Sequence, residues 1–265
     1  MSILILFLLF LVFYVVIENY VALALRREKL GEGIRIAHIS DLHKKRFGRD
    51  NINICQVIQR ERPDIIFITG DLVSRTATDL TVAGKTVKQL TDIAPVYMIF
   101  GNHEQDLSES MQAEYMRMAK ENGAYLLLND STAAEINGRM LNIYGLMEPY
   151  EVYKVNGGYR GLKVLEKEDI TSLVGECPEG EVLLLAHNPF FGEAYAEWGA
   201  DYTFSGHVHG GIVRLFGIPL LSPERKAFPK VSKGVYTYNG KKLLVTSGLG
   251  KKRLFNPSEI VIYEI

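Results

Sequence analysis

A chain of 265 residues that is 47% hydrophobic, 23% charged and 10% aromatic carries enough apolar side chain for a sizeable core and excludes intrinsic disorder. Thirty basic against 31 acidic residues, a net charge of −1, exclude a nucleic-acid binder built on bulk charge. Two cysteines, Cys55 and Cys177, exclude a disulfide framework and match no zinc-ribbon spacing.

The first distinctive element is the run Ile3–Ile17, ILILFLLFLVFYVVI. As a helix it spans roughly 22 Å, short of a ~30 Å hydrocarbon core, with Tyr20–Leu25 available to extend it past Glu18 and Asn19. No Lys or Arg precedes the run and no small-x-small site follows it, which counts against a cleaved secretory signal. It is apolar on every face, which counts against a core helix. The expectation is a membrane-anchoring segment over residues 1–25 and one domain over 26–265. Arg26, Arg27 and Lys29 follow the run, so the positive-inside rule predicts a cell-membrane protein with its bulk in the cytoplasm. The alternative makes Tyr20–Leu25 a first strand and those basic residues part of a folded surface.

After Gly31 and Gly33 one pattern recurs: a short apolar run ends in a polar cluster, then a helical stretch follows. Ile34–Ser40 ends at Asp41, Ile65–Thr69 at Gly70-Asp71, and Val96–Phe100 at Gly101-Asn102-His103-Glu104. Val182–Ala186 ends at His187-Asn188, and Tyr202–Ser205 at Gly206-His207-Val208-His209. Helices are predicted over 51–61, 79–92 and 108–122, the last with Asp106 and Glu109 as a capping box and Gly123 as its stop, and a short one over Ala194–Trp198. Beyond Gly210, short runs at Val235–Tyr238, Leu243–Thr246 and Ile260–Tyr263 predict a mostly antiparallel finish. There is no internal repeat or low-complexity tract, and the alternation predicts an α/β fold with much parallel pairing.

Sites in α/β sheets form where strands end. Of six histidines, His43, His103, His187, His207 and His209 fall at these ends, beside Asp41, Asp71 and Asn102; only His38 lies inside a strand, where an interior role is expected. Asp41 with His43, and His207 with His209, are spaced to point the same way. Imidazole and carboxylate donors suit Mn, Fe, Zn or Co, and do not exclude Mg; their number exceeds the needs of one tetrahedral ion and predicts two divalent metal ions. Asn188 reads as a turn residue. Lys44, Lys45, Arg46 and Arg49 read as a solvated surface or as a basic rim for anionic headgroups, and Arg75 and Arg214 as further candidates for that rim.

Asp41-Leu42-His43, Gly70-Asp71, Gly101-Asn102-His103-Glu104, His187 and Gly206-His207-Val208-His209 resemble, in order, the five motif blocks of the calcineurin-like metallophosphoesterase superfamily. Residues 206–214 and 246–260, together with the apolar run, are similar to its bacterial membrane-associated phosphodiesterase branch. The resemblance implies a four-layer α/β/β/α sandwich of two stacked mixed sheets behind the N-terminal membrane-anchor helix. It implies that Asp41, His43 and His209 hold one metal, that Asn102, His187 and His207 hold a second, and that Asp71 bridges them. His103 would face the phosphate as general acid or donor, so the catalytic set is His103, Asp71 and Asn102. Two ions ~3.5–4 Å apart polarise phosphoryl oxygens and lower the pKa of a shared water, whose hydroxide attacks phosphorus in line.

The function expected is membrane-anchored hydrolysis of a phosphodiester or pyrophosphate bond, in a phospholipid or a UDP-diacylglucosamine-like glycolipid precursor. The expected partners are the lipid bilayer and a lipid- or nucleotide-linked phosphate ester, without nucleic acid or a protein partner. A phosphomonoesterase or protein phosphatase of the same fold is the alternative. It is disfavoured because Leu72-Val73-Ser74-Arg75 and Phe100 stand where the protein-phosphatase branch carries phosphate-gripping arginines. A non-catalytic membrane-bound phosphate-binding scaffold is the other rival; no ligand position is missing to support it.

Overall fold

The computed structural model describes residues 3–158, 160–222, 227–250 and 253–265. In chain order the elements are α1 (Ile3–Tyr20), β1 (Leu23–Lys29), β2 (Arg35–Ile39), α2 (Ile52–Glu61), β3 (Ile65–Thr69), α3 (Thr81–Thr91), β4 (Val96–Ile99), α4 (Asn102–Gln105), α5 (Glu109–Glu121) and β5 (Tyr125–Leu126). They continue with β6 (Asp130–Ile136), β7 (Arg139–Leu146), α6 (Lys167–Val174), β8 (Glu181–Ala186), α7 (Gly192–Trp198) and β9 (Tyr202–Ser205). The chain finishes with β10 (Val213–Leu215), β11 (Ile218–Leu221), β12 (Gly234–Tyr238), β13 (Lys241–Val245) and β14 (Ser258–Glu264).

Among the described residues the strands form two six-stranded sheets, ordered β1-β14-β2-β3-β4-β5 and β12-β13-β9-β8-β7-β6, with β10 and β11 as a separate hairpin. Both sheets are mixed. β2 to β5 run parallel, while β14 returns antiparallel to β2 and parallel to β1. The carboxy-terminal strands are less antiparallel than the sequence predicts, since β13 inserts parallel to β9.

Side-chain alternation along the strands sets the layers. Ile36, Phe67, Tyr97 and Tyr263 of the first sheet meet Ile143, Leu183, Leu185 and Phe204 of the second in one core. The opposite face of the first sheet, with Ala37, Ile66 and Met98, packs beneath α2, α3 and α5 through Ile58, Val87 and Tyr115. The opposite face of the second, with Val182, Leu184 and Val245, packs beneath α6 and α7 through Ile170, Tyr195 and Trp198. Three cores separate four layers.

Local signals explain most boundaries, with two corrections. The N-cap of α5 is Ser108, whose side chain accepts from the Met111 amide; Asp106 instead pairs with Arg75 at 2.7 Å and accepts from the Tyr150 hydroxyl. The hairpin of β6 and β7, joined by Asn137-Gly138 in left-handed backbone, and helix α6 were not foreseen; β6 alternates but exposes one face, DSTAAEI, so its apolar content is low.

The membrane-spanning segment requires a larger correction. Among the described residues no helix is long and apolar enough to cross a membrane. The end of α1 is fastened to the domain: the Glu18 carboxylate accepts from the backbone of Phe255 (2.9 Å) and Asn256, and the Asn19 amide exchanges two hydrogen bonds with the backbone of Arg253 (2.8 and 2.9 Å). The apolar part is thereby limited to about four turns, roughly 22 Å. Arg26, Arg27 and Lys29 are residues of β1, ion-paired with Glu28 and Glu259, with Glu61 and with Glu32, so their charge is balanced within the fold.

Candidate metal centre and active site

Five strands run out at one edge of the stacked sheets, and each releases candidate ligands there. Asp41 and His43 follow β2, Asp71 follows β3, Asn102 opens α4 after β4, His187 follows β8, and His207 and His209 follow β9. Asp71 Oδ2 lies 3.5 Å from His187 Nε2, 3.8 Å from His43 Nε2 and 3.9 Å from His103 Nε2. Asp41 Oδ1 lies 3.9 Å from His209 Nε2 and 4.0 Å from His187 Nε2. His207 Nδ1 and Asn102 Oδ1 are 3.1 Å apart, and the rings of His187 and His207 are 5.1 Å apart. All seven candidate ligands and His103 therefore share one cluster, with three overlapping groups of metal-holding geometry: Asp41-His43-His209, His43-Asp71-His103 and Asp41-Asp71-His187.

The backbone is strained at these positions. Asp41, His43, Asp71, His207 and His209 all adopt left-handed conformation, with φ between 50 and 66°. A non-glycine residue there costs of order 1 kcal/mol, and five at one cluster mark a surface shaped for what its side chains hold.

Close approach of the loops depends on glycine. A Cβ on Gly101 would lie 2.3 Å from Asp71 Oδ1. Gly101 thus leaves room for the carboxylate of Asp71, which also accepts from the His103 amide at 2.8 Å. Gly101→Ala is expected to push the Asp71 loop away and lower activity by ~10²-fold, the loss that accompanies a 1 Å misplacement. Near-normal turnover and metal content in that variant would refute the packing argument.

Buried acids that sequence reasoning did not assign hold the loops in register. Glu104 accepts from the amides of Asp71 (2.8 Å), Gly101 (2.9 Å) and Val73 (3.0 Å), joining two ligand loops. Burial pushes its pKa up to about 7, with the Asp71 charge adding to the effect. Its position three residues after Gly101, an N-cap-to-N3 spacing, was the available signal. Glu148 accepts from the Asn188 amide (2.8 Å) and from the hydroxyls of Tyr153 (3.0 Å) and Tyr195 (3.2 Å), and the Tyr153 ring packs 5.1 Å from that of His207. Arg253 lies 3.4 Å from His209 Nδ1, and Asn256 donates to the His209 carbonyl at 2.6 Å.

The donor set fits divalent cations. Nε2 of His187 and Nδ1 of His43 are buried without a hydrogen-bond partner among the described residues. Thr69 accepts from Nδ1 of His187 at 2.7 Å, which turns Nε2 toward Asp41 and Asp71. Burial alone would lower the His187 pKa, but Asp71 and then Asp41 push it up to about 10, so the two acids draw positive charge to this spot. Burial lowers His207 to about 3 and His209 well below the usual imidazole range, leaving both neutral and able to ligate. His103 is lowered to about 4, again chiefly by burial. The backbone amide of Arg75 donates to its Nδ1 at 3.2 Å, which leaves the hydrogen of a neutral ring on Nε2, the atom facing the cluster.

The remaining candidates separate cleanly. A cleft of about 550 Å³ opens over His43, His103 and His209, lined also by Lys44, Ser74 and Arg75. Lys45 also borders that cleft, but its side chain is buried, the ammonium donating to Ser258 Oγ at 2.8 Å, and Arg214 braces its own hairpin. Asn188 accepts from the Phe190 amide, a turn role, and His38 is buried with Nε2 2.8 Å from Thr69 Oγ1.

The calcineurin-like phosphoesterase profile matches residues 34–211. The metallophosphoesterase YkoQ of Bacillus subtilis is 25% identical over 240 residues, 88% of this chain and 83% of the relative. The phosphodiesterase YaeI of Escherichia coli is 24% identical over 229 residues, 82% and 75%. The crystal structure of phosphopantetheinyl hydrolase from Mycobacterium tuberculosis matches 85% of this chain and 90% of its own with a TM-score of 0.51 at 14% identity, a likeness of fold. With the ligand cluster at its strand ends, the chain belongs to the calcineurin-like phosphoesterase family and is a metal-dependent hydrolase of phosphoric esters.

Proposed function

We propose that this protein is a membrane-associated phosphodiesterase or pyrophosphatase working with two divalent ions. Asp41, His43 and His209 would hold one ion and Asn102, His187 and His207 the other, with Asp71 placed to contribute to the pair. The observation that carries this reading is the position of Asp71, whose Oδ2 lies within reach of both ligand groups, 3.8 Å from His43 Nε2 and 3.5 Å from His187 Nε2. When bound, such ions supply a nucleophile from water at neutral pH and offset phosphoryl charge. The protein's own contribution is positional. Glu104 and Glu148 keep the ligand loops in register, and His103 donates a hydrogen bond from Nε2 to the phosphate or, once protonated to imidazolium, passes that proton to the departing oxygen and returns to neutral imidazole.

A diester or pyrophosphate substrate agrees with the named activity of the relative YaeI and with the absence of phosphate-gripping arginines after Gly70-Asp71. Arg75 lines the cleft but is already paired with Asp106. The apolar stretch of α1, exposed on nearly every turn, is read as a membrane anchor, which brings lipid-linked phosphates, such as a phospholipid or a nucleotide-linked glycolipid, within reach of the cleft. The test uses the full chain with added Mn²⁺ and a panel of bis-p-nitrophenyl phosphate, a monoester and a pyrophosphate. Hydrolysis of the diester or pyrophosphate that EDTA abolishes is expected. A preference for the monoester would overturn the diesterase reading, and phosphate binding without turnover under any divalent metal would leave a scaffold.

A further inference from the structure

The hairpin of β10 and β11 presents its apolar side chains to solvent. Phe216 is 94% exposed, Ile218 55% and Leu215 42%; Phe228, whose amide bonds the Leu220 carbonyl at 3.1 Å, is 68% exposed. The turn itself is costly. Leu215 pairs with Ile218, so Phe216-Gly217 is a two-residue loop, and both residues have positive φ, 50° and 82°. Such loops favour Asn-Gly, because asparagine tolerates left-handed backbone and a bulky aromatic does not. Phenylalanine at that place is explained by what its side chain meets. Phe228 repeats the pattern, with φ of 48°.

Nor is the hairpin loose. The buried Arg214 donates to the Gly210 carbonyl (2.8 Å), to Ser232 Oγ (3.1 Å) and to the Gly217 carbonyl, bracing the tip from beneath. It is also continuous with α1. Arg214 and Ile212 exchange backbone hydrogen bonds with Leu254, and the next residue, Phe255, packs its ring 5.2 Å from that of Tyr14. Gly210, which Arg214 braces, directly follows the candidate ligand His209. Besides the buried Arg214 and Lys233, which pairs with Glu259, the sequence from 214 to 233 carries Arg225, Lys226 and Lys230 against one acid, Glu224, an excess of positive charge that complements an anionic surface.

We propose that the β10–β11 hairpin, with Phe216 at its tip and Phe228 beside it, is a second lipid-inserting element that, together with α1, seats the mouth of the metal cleft on an anionic bilayer. This inference rests on the membrane reading of α1 above. Two contacts on either side of the 253–256 segment fix the orientation of the cleft, which a single helix leaves free to swivel.

The test uses the full chain with vesicles of phosphatidylcholine and phosphatidylglycerol carrying brominated acyl chains, which quench only tryptophan within the lipid. The native Trp198, buried beneath the second sheet, supplies the baseline. Phe216→Trp is expected to be quenched while its hydrolysis of bis-p-nitrophenyl phosphate stays at the wild-type rate. Phe216→Ser with Ile218→Ser is expected to weaken partitioning by ~10–100-fold, the worth of one or two apolar side chains leaving lipid. If Phe216→Trp remains unquenched while a Phe10→Trp reporter on α1 is quenched, the hairpin proposal fails and the membrane reading stands. If neither is quenched, both fail. Concentration-dependent dimers in which Phe216→Trp is shielded without vesicles would identify a second copy of the chain as the occupant and overturn the proposal.

Discussion

Asp71→Asn is expected to lose bound metal and turnover together, the latter by at least ~10³-fold, the upper range for removing one charge-stabilising group. The substitution is nearly isosteric, so the fold should survive. What changes is charge: a carboxylate held well below its usual range by His187, His43 and His103, against the cost of its own burial, becomes a neutral amide with two hydrogens aimed at those rings. An amide cannot serve two cations at once. Metal analysis beside diesterase kinetics checks this, with thermal unfolding as the control for folding. Retention of both metal and more than a tenth of the activity would remove Asp71 from the centre of the site.

His103→Gln separates holding metal from moving a proton. Under the proposed assignment, in which His103 is not a ligand, metal content is expected to stay at the wild-type level while turnover falls by ~10²–10⁴-fold, the range of general acid–base catalysis. The Arg75 amide occupies Nδ1, so only Nε2 can donate toward substrate. The size of the loss should grow as the leaving alcohol becomes more basic, since a poor leaving group depends most on the donated hydrogen. A loss independent of the leaving group would restrict His103 to steadying the phosphate, and full activity would exclude it altogether.

Much of this arrangement was legible before the coordinates, for a physical reason. Buried strands advertise themselves as short β-branched runs, and polar residues at their ends must share an edge if the strands share a sheet. Hence β3 and β9 coincide with their predicted bounds, and the candidate ligands stood out at the strand ends, their sorting into two metal sets coming from the resemblance. The supporting groups were not legible. Glu148 and Asn19 are ordinary polar residues in the sequence and Glu104 is marked only by its spacing from Gly101; the value of all three comes from burial against backbone amides up to 234 residues away. The basic cluster after His43 divides for the same reason: Lys44 and Lys45 both border the cleft, but Lys44 is exposed while the Lys45 ammonium is buried against Ser258. Chain-local composition cannot distinguish two such settings.

The attachment of α1 to the 253–256 segment bears on how this enzyme should be prepared. Truncating at Arg26 to gain a soluble fragment would cut β1 in its fourth residue and discard Glu18 and Asn19. The amides of Arg253, Phe255 and Asn256 would lose their acceptors, at roughly 1–3 kcal/mol for each that stays buried, in the segment that steadies His209 from both its ring and its carbonyl. A clipped preparation could thus register as metal-poor and slow with every candidate ligand intact, and the whole polypeptide is the sounder material.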